Sequence, residues 1–207
     1  MKKKTQIKCI FVDIGGVLLS KGWGHESRMD AAKKFCVDYD EMESRHCKIF
    51  SKYEKGLISL DEYLKAIIFY KKRSFTKGQF KRFILAQSKP VKRMISLMRK
   101  LKSKYGLKIV AVNNEGLELN LHRIKKFRLN AFIDFFVSSC FVHLIKPDKN
   151  IYKLALDLAQ IPAGQVLYID DQQSLVDIAV SLGIKGICHT DYESTLSKLG
   201  RFGLKVV

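Results

Sequence analysis

The chain has no apolar run near the roughly 20 residues that a helix needs to cross a bilayer, which argues against an integral membrane protein. It also has no Cys-x-x-Cys pair. Its five cysteines, Cys9, Cys36, Cys47, Cys140 and Cys188, are scattered and odd in number. That pattern suits neither a disulfide framework nor a zinc site, and points to buried thiols in a reduced, cytoplasmic chain. Repeats, low-complexity tracts and flexible linkers are lacking too. The lysine-rich start, residues 1–4, precedes an apolar stretch and superficially resembles a signal peptide. Lys8 and Asp13 interrupt that stretch and no clean cleavage site follows, so it reads instead as a buried strand.

Acidic residues are missing from the whole of residues 63–114. The net charge is +18, and residues 1–110 carry nearly all of it, with 27 Lys and Arg against 10 Asp and Glu. Residues 111–207 hold 11 against 10. A one-sided positive field concentrates anions, so nucleic acid, another polyanion or a phosphorylated substrate could exploit it. For most individual lysines a solvated helix face is the plainer explanation.

The 207 residues suit one domain with a large insertion, or two small domains. Four short apolar runs read as buried strands, at residues 7–12, 109–112, 135–137 and 166–169, with a weaker fifth at 186–188. Polar or glycine residues and then a helical pattern follow each of the first four. That alternation predicts a parallel sheet with crossover helices. The gap between the first two strands is too long for one crossover. It carries helical spacing at Leu60, Tyr63, Leu64, Ile67 and Ile68, and Ser59 with Glu62 reads as a capping box. Pro90 is expected to open a helix over residues 91–104 that stops at Gly106. Residues 20–88 therefore read as an all-helical insert in an α/β core made of residues 1–19 and 89–207.

Four strand ends carry the chemistry. Asp13, followed by Gly15 and Gly16, stands where parallel sheets place ligands, and its carboxylate can attack phosphorus. The glycines allow a tight turn and close approach to a bound group. Asn113 and Asn114 end the second strand, where amide groups can meet a phosphate oxygen. Lys146, just before Pro147 and a helix, can neutralise a phosphate and a carboxylate together. Asp170 and Asp171 end the fourth run as adjacent carboxylates, costly there without a cation and suited to magnesium.

Taken in order, strand-Asp, helical insert, strand-Asn, Lys-Pro and strand-Asp-Asp, the chain resembles the haloacid dehalogenase-like (HAD) superfamily. It is most similar to the phosphatase-like branch with a helical cap after the first motif. Residues 53–59, Tyr-Glu-Lys-Gly-Leu-Ile-Ser, resemble that branch's Glu-x-Gly-x-Ile-Ser cap segment. The resemblance implies an α/β fold: a Rossmann-like three-layer core with a five-stranded, mainly parallel sheet, plus an all-helical cap. It implies a Mg2+-dependent phosphatase for a small phosphorylated metabolite, with Asp13 as nucleophile, Lys146 holding Asp13 and the phosphate, and Asn113 donating to a phosphate oxygen. Asp13, the carbonyl of Gly15, Asp170 and Asp171 would hold the metal. Gly15, Gly16, Asn114, His25 and Arg28 are the expected substrate contacts, with Lys21 and Trp23 near the hinge.

The chain departs from the family twice. Most family phosphatases carry an Asp two positions after the nucleophile that protonates the leaving group, and here that position is Gly15. The Gly-Gly form does occur in the helical-cap branch. General acid–base help is worth about 10²–10⁴ in rate, so slow turnover and a good leaving group, as in a sugar-1-phosphate or acyl phosphate, are expected. Glu115, His25 or a water are the candidate substitutes. Asn113 stands where the family has Ser or Thr. The competing expectation is a degenerate HAD-fold protein whose basic cap binds nucleic acid or another polyanion.

Overall fold

The structure, a computed structural model, describes residues 7–206; the lysine-rich residues 1–4 lie outside that range. Five parallel strands form one sheet in the order β3-β2-β1-β4-β5. They are β1 (Cys9–Val12), β2 (Lys108–Asn113), β3 (Phe135–Ser138), β4 (Val166–Asp170) and β5 (Lys185–Cys188). All the pairings are parallel, so the mainly parallel sheet is wholly parallel among the described residues.

The apolar runs follow from burial on both faces. In β1, Ile10 and Val12 face one layer of side chains while Cys9 and Phe11 face the other. The first layer includes Met94, Leu97, Met98 and Leu101 from α5 (Lys92–Tyr105), and Leu199 from α10 (Tyr192–Arg201). The second includes Ile151, Tyr152 and Ala155 from α8 (Lys149–Ala159), and Val176 and Ala179 from α9 (Gln173–Ser181). Helices α6 (Leu117–Lys126) and α7 (Ser139–Val142) follow β2 and β3. The register sets Phe11 between Val110 and Tyr168, and Val12 between Ala111 and Ile169. Asp13, Asn113 and Asp170 therefore leave the sheet at one edge.

Between β1 and α5 the chain forms α1 (His25–Phe35), α2 (Tyr39–Glu54), α3 (Leu60–Ile67) and α4 (Lys77–Ala86). They enclose a core of their own, including Trp23, Tyr53, Tyr63, Ile67, Phe80 and Ile84. Helix α3 buries Leu60, Tyr63, Leu64 and Ile67, the spacing of a single helical face. Ser59 and Glu62 complete a capping box, and Thr76 and Gln79 form another at α4. The chain leaves and re-enters the core side by side. Ser20 N donates to Lys89 O at 2.8 Å, and Val91 N to Leu18 O at 2.9 Å. Pro90 pairs with Leu19 in an antiparallel bridge. That contact holds Pro90 extended, so α5 begins at Lys92 with Val91 as its N-cap, one residue later than the proline suggests.

Five basic residues of the acid-free stretch are paired. Lys71 meets Glu41, Lys77 and Lys81 meet Asp61, Arg93 meets Glu193 and Lys102 meets Asp134. No helix among the described residues is long and apolar enough to cross a membrane.

The helical unit is docked on the core through residues 53–60. Ser139 Oγ donates to the carbonyl of Glu54 at 2.6 Å, and Leu60 N donates to Glu118 Oε1 at 2.8 Å. Gly116, the N-cap of α6, lies against the Tyr53 ring, and a Cβ there would overlap it. Overpacking of a tight contact costs about 1–3 kcal/mol. Gly116→Ala is therefore predicted to lower unfolding free energy by about that amount in urea denaturation.

Candidate active site

Asp13, Asn114, Lys146 and Asp171 line a cavity of about 230 Å³ between the sheet edge and the helical unit. Asp13, Asp170 and Asp171 each offer a carboxylate oxygen, and these lie within 4.8 Å of one another. Lys146 reaches the same point from the loop before α8. Its Nζ stands 2.9 Å from Asp13 Oδ1 and 2.8 Å from Asp170 Oδ2. Two reciprocal bonds fix its main chain: Lys146 N donates to Asn114 Oδ1, and Asn114 Nδ2 donates to Lys146 O, both at 2.9 Å.

Both carboxylate oxygens of Asp170 are engaged. Gln172 N donates to Oδ1 at 2.9 Å, and the Tyr168 hydroxyl donates to Oδ2 while accepting from Lys146 Nζ at 3.1 Å. Burial pushes the Asp13 carboxyl up to about 6; Lys146 opposes this and Asp170 adds to it. Burial alone would weaken the charge on Lys146, but Asp13 and Asp170 outweigh it and raise its pKa. Three carboxylates around one buried ammonium leave a surplus of negative charge. Lys21, from the hinge, offsets part of it at 3.0 Å from Asp171 Oδ2. The hard oxygen donors and that surplus fit a divalent cation such as Mg2+.

Several expected contacts fall elsewhere. Asn113 is buried and does not line the cavity. Its Oδ1 accepts from Ser138 Oγ at 2.7 Å and its Nδ2 donates to Asn120 Oδ1 at 3.3 Å, which engages the amide outside the cavity lining. Gly16 does not line the cavity either. Its φ of +86° and the absence of a Cβ let Asp171 pack directly upon it, so its part is to make room for a carboxylate. His25 is exposed at the start of α1, edge-on to Tyr39, and lies outside the cavity walls. Asn114 lines the cavity with its side chain occupied by Lys146. Arg28 also lines it, but its guanidinium is paired with Glu43 through two 2.6 Å bonds and with Trp23 O at 3.1 Å. Gly15, Lys21 and Trp23 are cavity walls.

The structure adds two residues that had no assigned part, Arg123 and Glu54, and gives Glu115 a partner. Arg123, on α6, is 2% exposed and reaches across to the hinge. Its Nε donates to Ser88 Oγ at 3.0 Å, its Nη2 to Lys21 O at 3.2 Å, and its Nη1 pairs with Glu115 Oε2. Glu115 Oε1 accepts from Gly116 N at 3.2 Å. Burial raises the Glu115 pKa against the pull of Arg123. Glu54, at the C-terminus of α2, faces the same cavity, and burial, with Glu115 beside it, pushes its carboxyl up to about 8. In the sequence, Arg123 sits among Lys125, Lys126 and Arg128 and is indistinguishable from a solvated face. Glu54 stands in the Glu-x-Gly-x-Ile-Ser segment, which was the available signal.

The family profile described as haloacid dehalogenase-like hydrolase matches residues 7–179, and the chain belongs to that family. It is 25% identical over 165 residues to flavin mononucleotide hydrolase 1 of Arabidopsis thaliana, covering 80% of this chain and 66% of that protein. It is 27% identical over 135 residues to a phosphorylated carbohydrates phosphatase of Thermotoga maritima, covering 64% and 58% respectively. The chain thus spans less than two thirds of the length of these curated relatives. Among solved structures, a HAD family enzyme of Bacteroides thetaiotaomicron superposes with a TM-score of 0.76 at 21% identity, over 92% of this chain and 98% of that one. That likeness shows the fold.

Breaking a buried ion pair from one side costs about 3–5 kcal/mol, because the remaining charge is left uncompensated. Arg123→Met is predicted to destabilise the protein by about that amount, with a part recovered when Glu115→Gln is added. Urea denaturation of the two single variants and the double variant measures both effects.

Proposed function

We propose that this hydrolase is a Mg2+-dependent phosphatase that acts on a small phosphate monoester through an aspartyl-phosphate at Asp13. One observation carries the proposal: three carboxylates lie within 4.8 Å of one another at the C-terminal edge of a parallel sheet, and a buried lysine hydrogen-bonds to two of them. The Bacteroides enzyme of the same fold has been solved with magnesium and inorganic phosphate, and two sequence relatives are named as phosphate-ester hydrolases. At about 230 Å³ the cavity is small for a ligand pocket, which favours a compact substrate.

Asp13 is positioned as nucleophile by Lys146, which also offers positive charge to an incoming phosphoryl group. Tyr168 and Gln172 N hold Asp170 in a fixed orientation, so Lys146 is not free to turn away. A bound Mg2+ would offset the charge of Asp13, Asp170, Asp171 and the phosphate. Polyanion binding is less favoured, because several lysines of the acid-free stretch are already paired with Glu41, Asp61 and Asp134.

Purified protein should hydrolyse p-nitrophenyl phosphate with Mg2+ and lose that activity in excess EDTA. Asp13→Asn should bring turnover to background, and turnover surviving in that variant would remove Asp13 as nucleophile. Asp171→Asn should raise the Mg2+ concentration for half-maximal activity at least about tenfold, as read from a metal titration of the rate.

A further inference from the structure

Gly15 leaves the site without a core-borne proton donor, and its neighbourhood limits what can take over. A Cβ at Gly15 would lie 3.6 Å from Arg123 Nη1, so the space beside it faces a fixed guanidinium. Arg123 is held by Ser88, Lys21 O and Glu115. Glu115 is engaged at both oxygens, by Arg123 and by Gly116 N. Asp171 is paired with Lys21 and belongs to the proposed metal group, and Asp13 and Lys146 are paired with each other. His25 lies outside the cavity. Among the described residues, one cavity carboxyl makes neither a hydrogen bond nor an ion pair: that of Glu54.

We propose that Glu54, carried by the helical cap, is the general acid and base of this site in place of the residue missing at position 15. The proposal rests on the phosphatase reading above. Glu54 is held in place by its own backbone. It ends α2, and its carbonyl accepts from Ser139 Oγ of the core at 2.6 Å, so its position is fixed whenever the cap is seated. The groups that face it are Glu115, Lys146 and Asp13 from the core, with Arg28 and Tyr63 from the cap. Burial beside Glu115 favours the neutral acid, the form that can give a proton.

The chemistry balances in two steps. An Asp13 oxygen attacks phosphorus, the bond from phosphorus to the leaving oxygen breaks, and that oxygen takes the proton from Glu54 to depart as an alcohol. Glu54, now a carboxylate, takes a proton from the water that attacks the aspartyl-phosphate. The bond from phosphorus to Asp13 breaks, inorganic phosphate is released, and both side chains return to their first states.

The test compares Glu54→Gln with the unaltered protein on an alkyl phosphate, glycerol phosphate, and on p-nitrophenyl phosphate, both with Mg2+. An alkoxide needs a proton to leave and nitrophenolate does not. In the variant, kcat/KM for glycerol phosphate should fall about 10²–10⁴-fold. With p-nitrophenyl phosphate a rapid burst of nitrophenolate should persist, followed by slow turnover and accumulation of phosphorylated Asp13, because the second step still needs the base. Equal losses on both substrates with no burst would make Glu54 structural and overturn the proposal, and so would unchanged activity on both. No Mg2+-dependent turnover in the unaltered protein would instead defeat the phosphatase reading and this proposal with it. Glutamine is isosteric and leaves no charge behind; should it fail to fold, Glu54→Asp keeps the carboxyl on a shorter stem and is expected to show smaller losses, with kcat/KM falling more for glycerol phosphate than for p-nitrophenyl phosphate.

Discussion

Lys146 is the charge on which the active-site edge of this molecule depends. Its ammonium is buried between Asp13 and Asp170, and among the described residues no other cation pairs with those carboxylates. A buried ion pair is favourable only when its geometry is nearly complete, because the desolvation penalty is several kcal/mol per ion. The surroundings supply that completeness. Asn114 holds the lysine's backbone from both sides, Tyr168 bridges Lys146 and Asp170, and Gln172 N takes the remaining oxygen of Asp170. Three strands must end in register for these groups to meet, so sheet pairing and site electrostatics constrain one another.

The parts that depend on local pattern were legible in the sequence. Strands buried on both faces appear as short apolar runs, and their abrupt ends at Asp13, Asn113 and Asp170 mark the edge where ligands bind. The capping box at Ser59 and the stop at Gly106 are likewise local chemistry, and both appear in the structure. Legibility failed where a side chain's direction depends on what packs opposite. Asn113 offers an amide that could meet phosphate, but Ser138 on the neighbouring strand and Asn120 on α6 take it first. His25 is near the hinge in sequence yet turned to solvent beside Tyr39. Arg123 is the clearest case. It is a basic residue on a basic helix, and only the approach of the hinge and of Glu115 shows it to be buried.

Arg123 also explains how the hinge is joined to the site. It touches Ser88 on the returning strand, Lys21 on the outgoing one and Glu115 on the core. Lys21 in turn pairs with Asp171. A chain of hydrogen bonds and ion pairs therefore runs from the α6 helix through both crossings to Asp171. A shift of the hinge that moved Lys21 relative to Asp171 would, on the proposed reading, couple cap position to cation affinity through ordinary ion pairing.

Placing the proton donor on the cap would tighten that coupling. A donor two residues after the nucleophile moves rigidly with it, whether the cap is open or seated. Glu54 reaches the cavity only because Ser139 takes its carbonyl and Gly116 admits the Tyr53 ring. Were the cap to lift, water would gain access but the proposed donor would be withdrawn, and Asp13 would be left without a partner for the leaving group. Closure would then exclude solvent and complete the catalytic set in one movement. The loss at position 15 would then become a gain in selectivity, because a substrate that did not let the cap seat would meet a nucleophile with no acid.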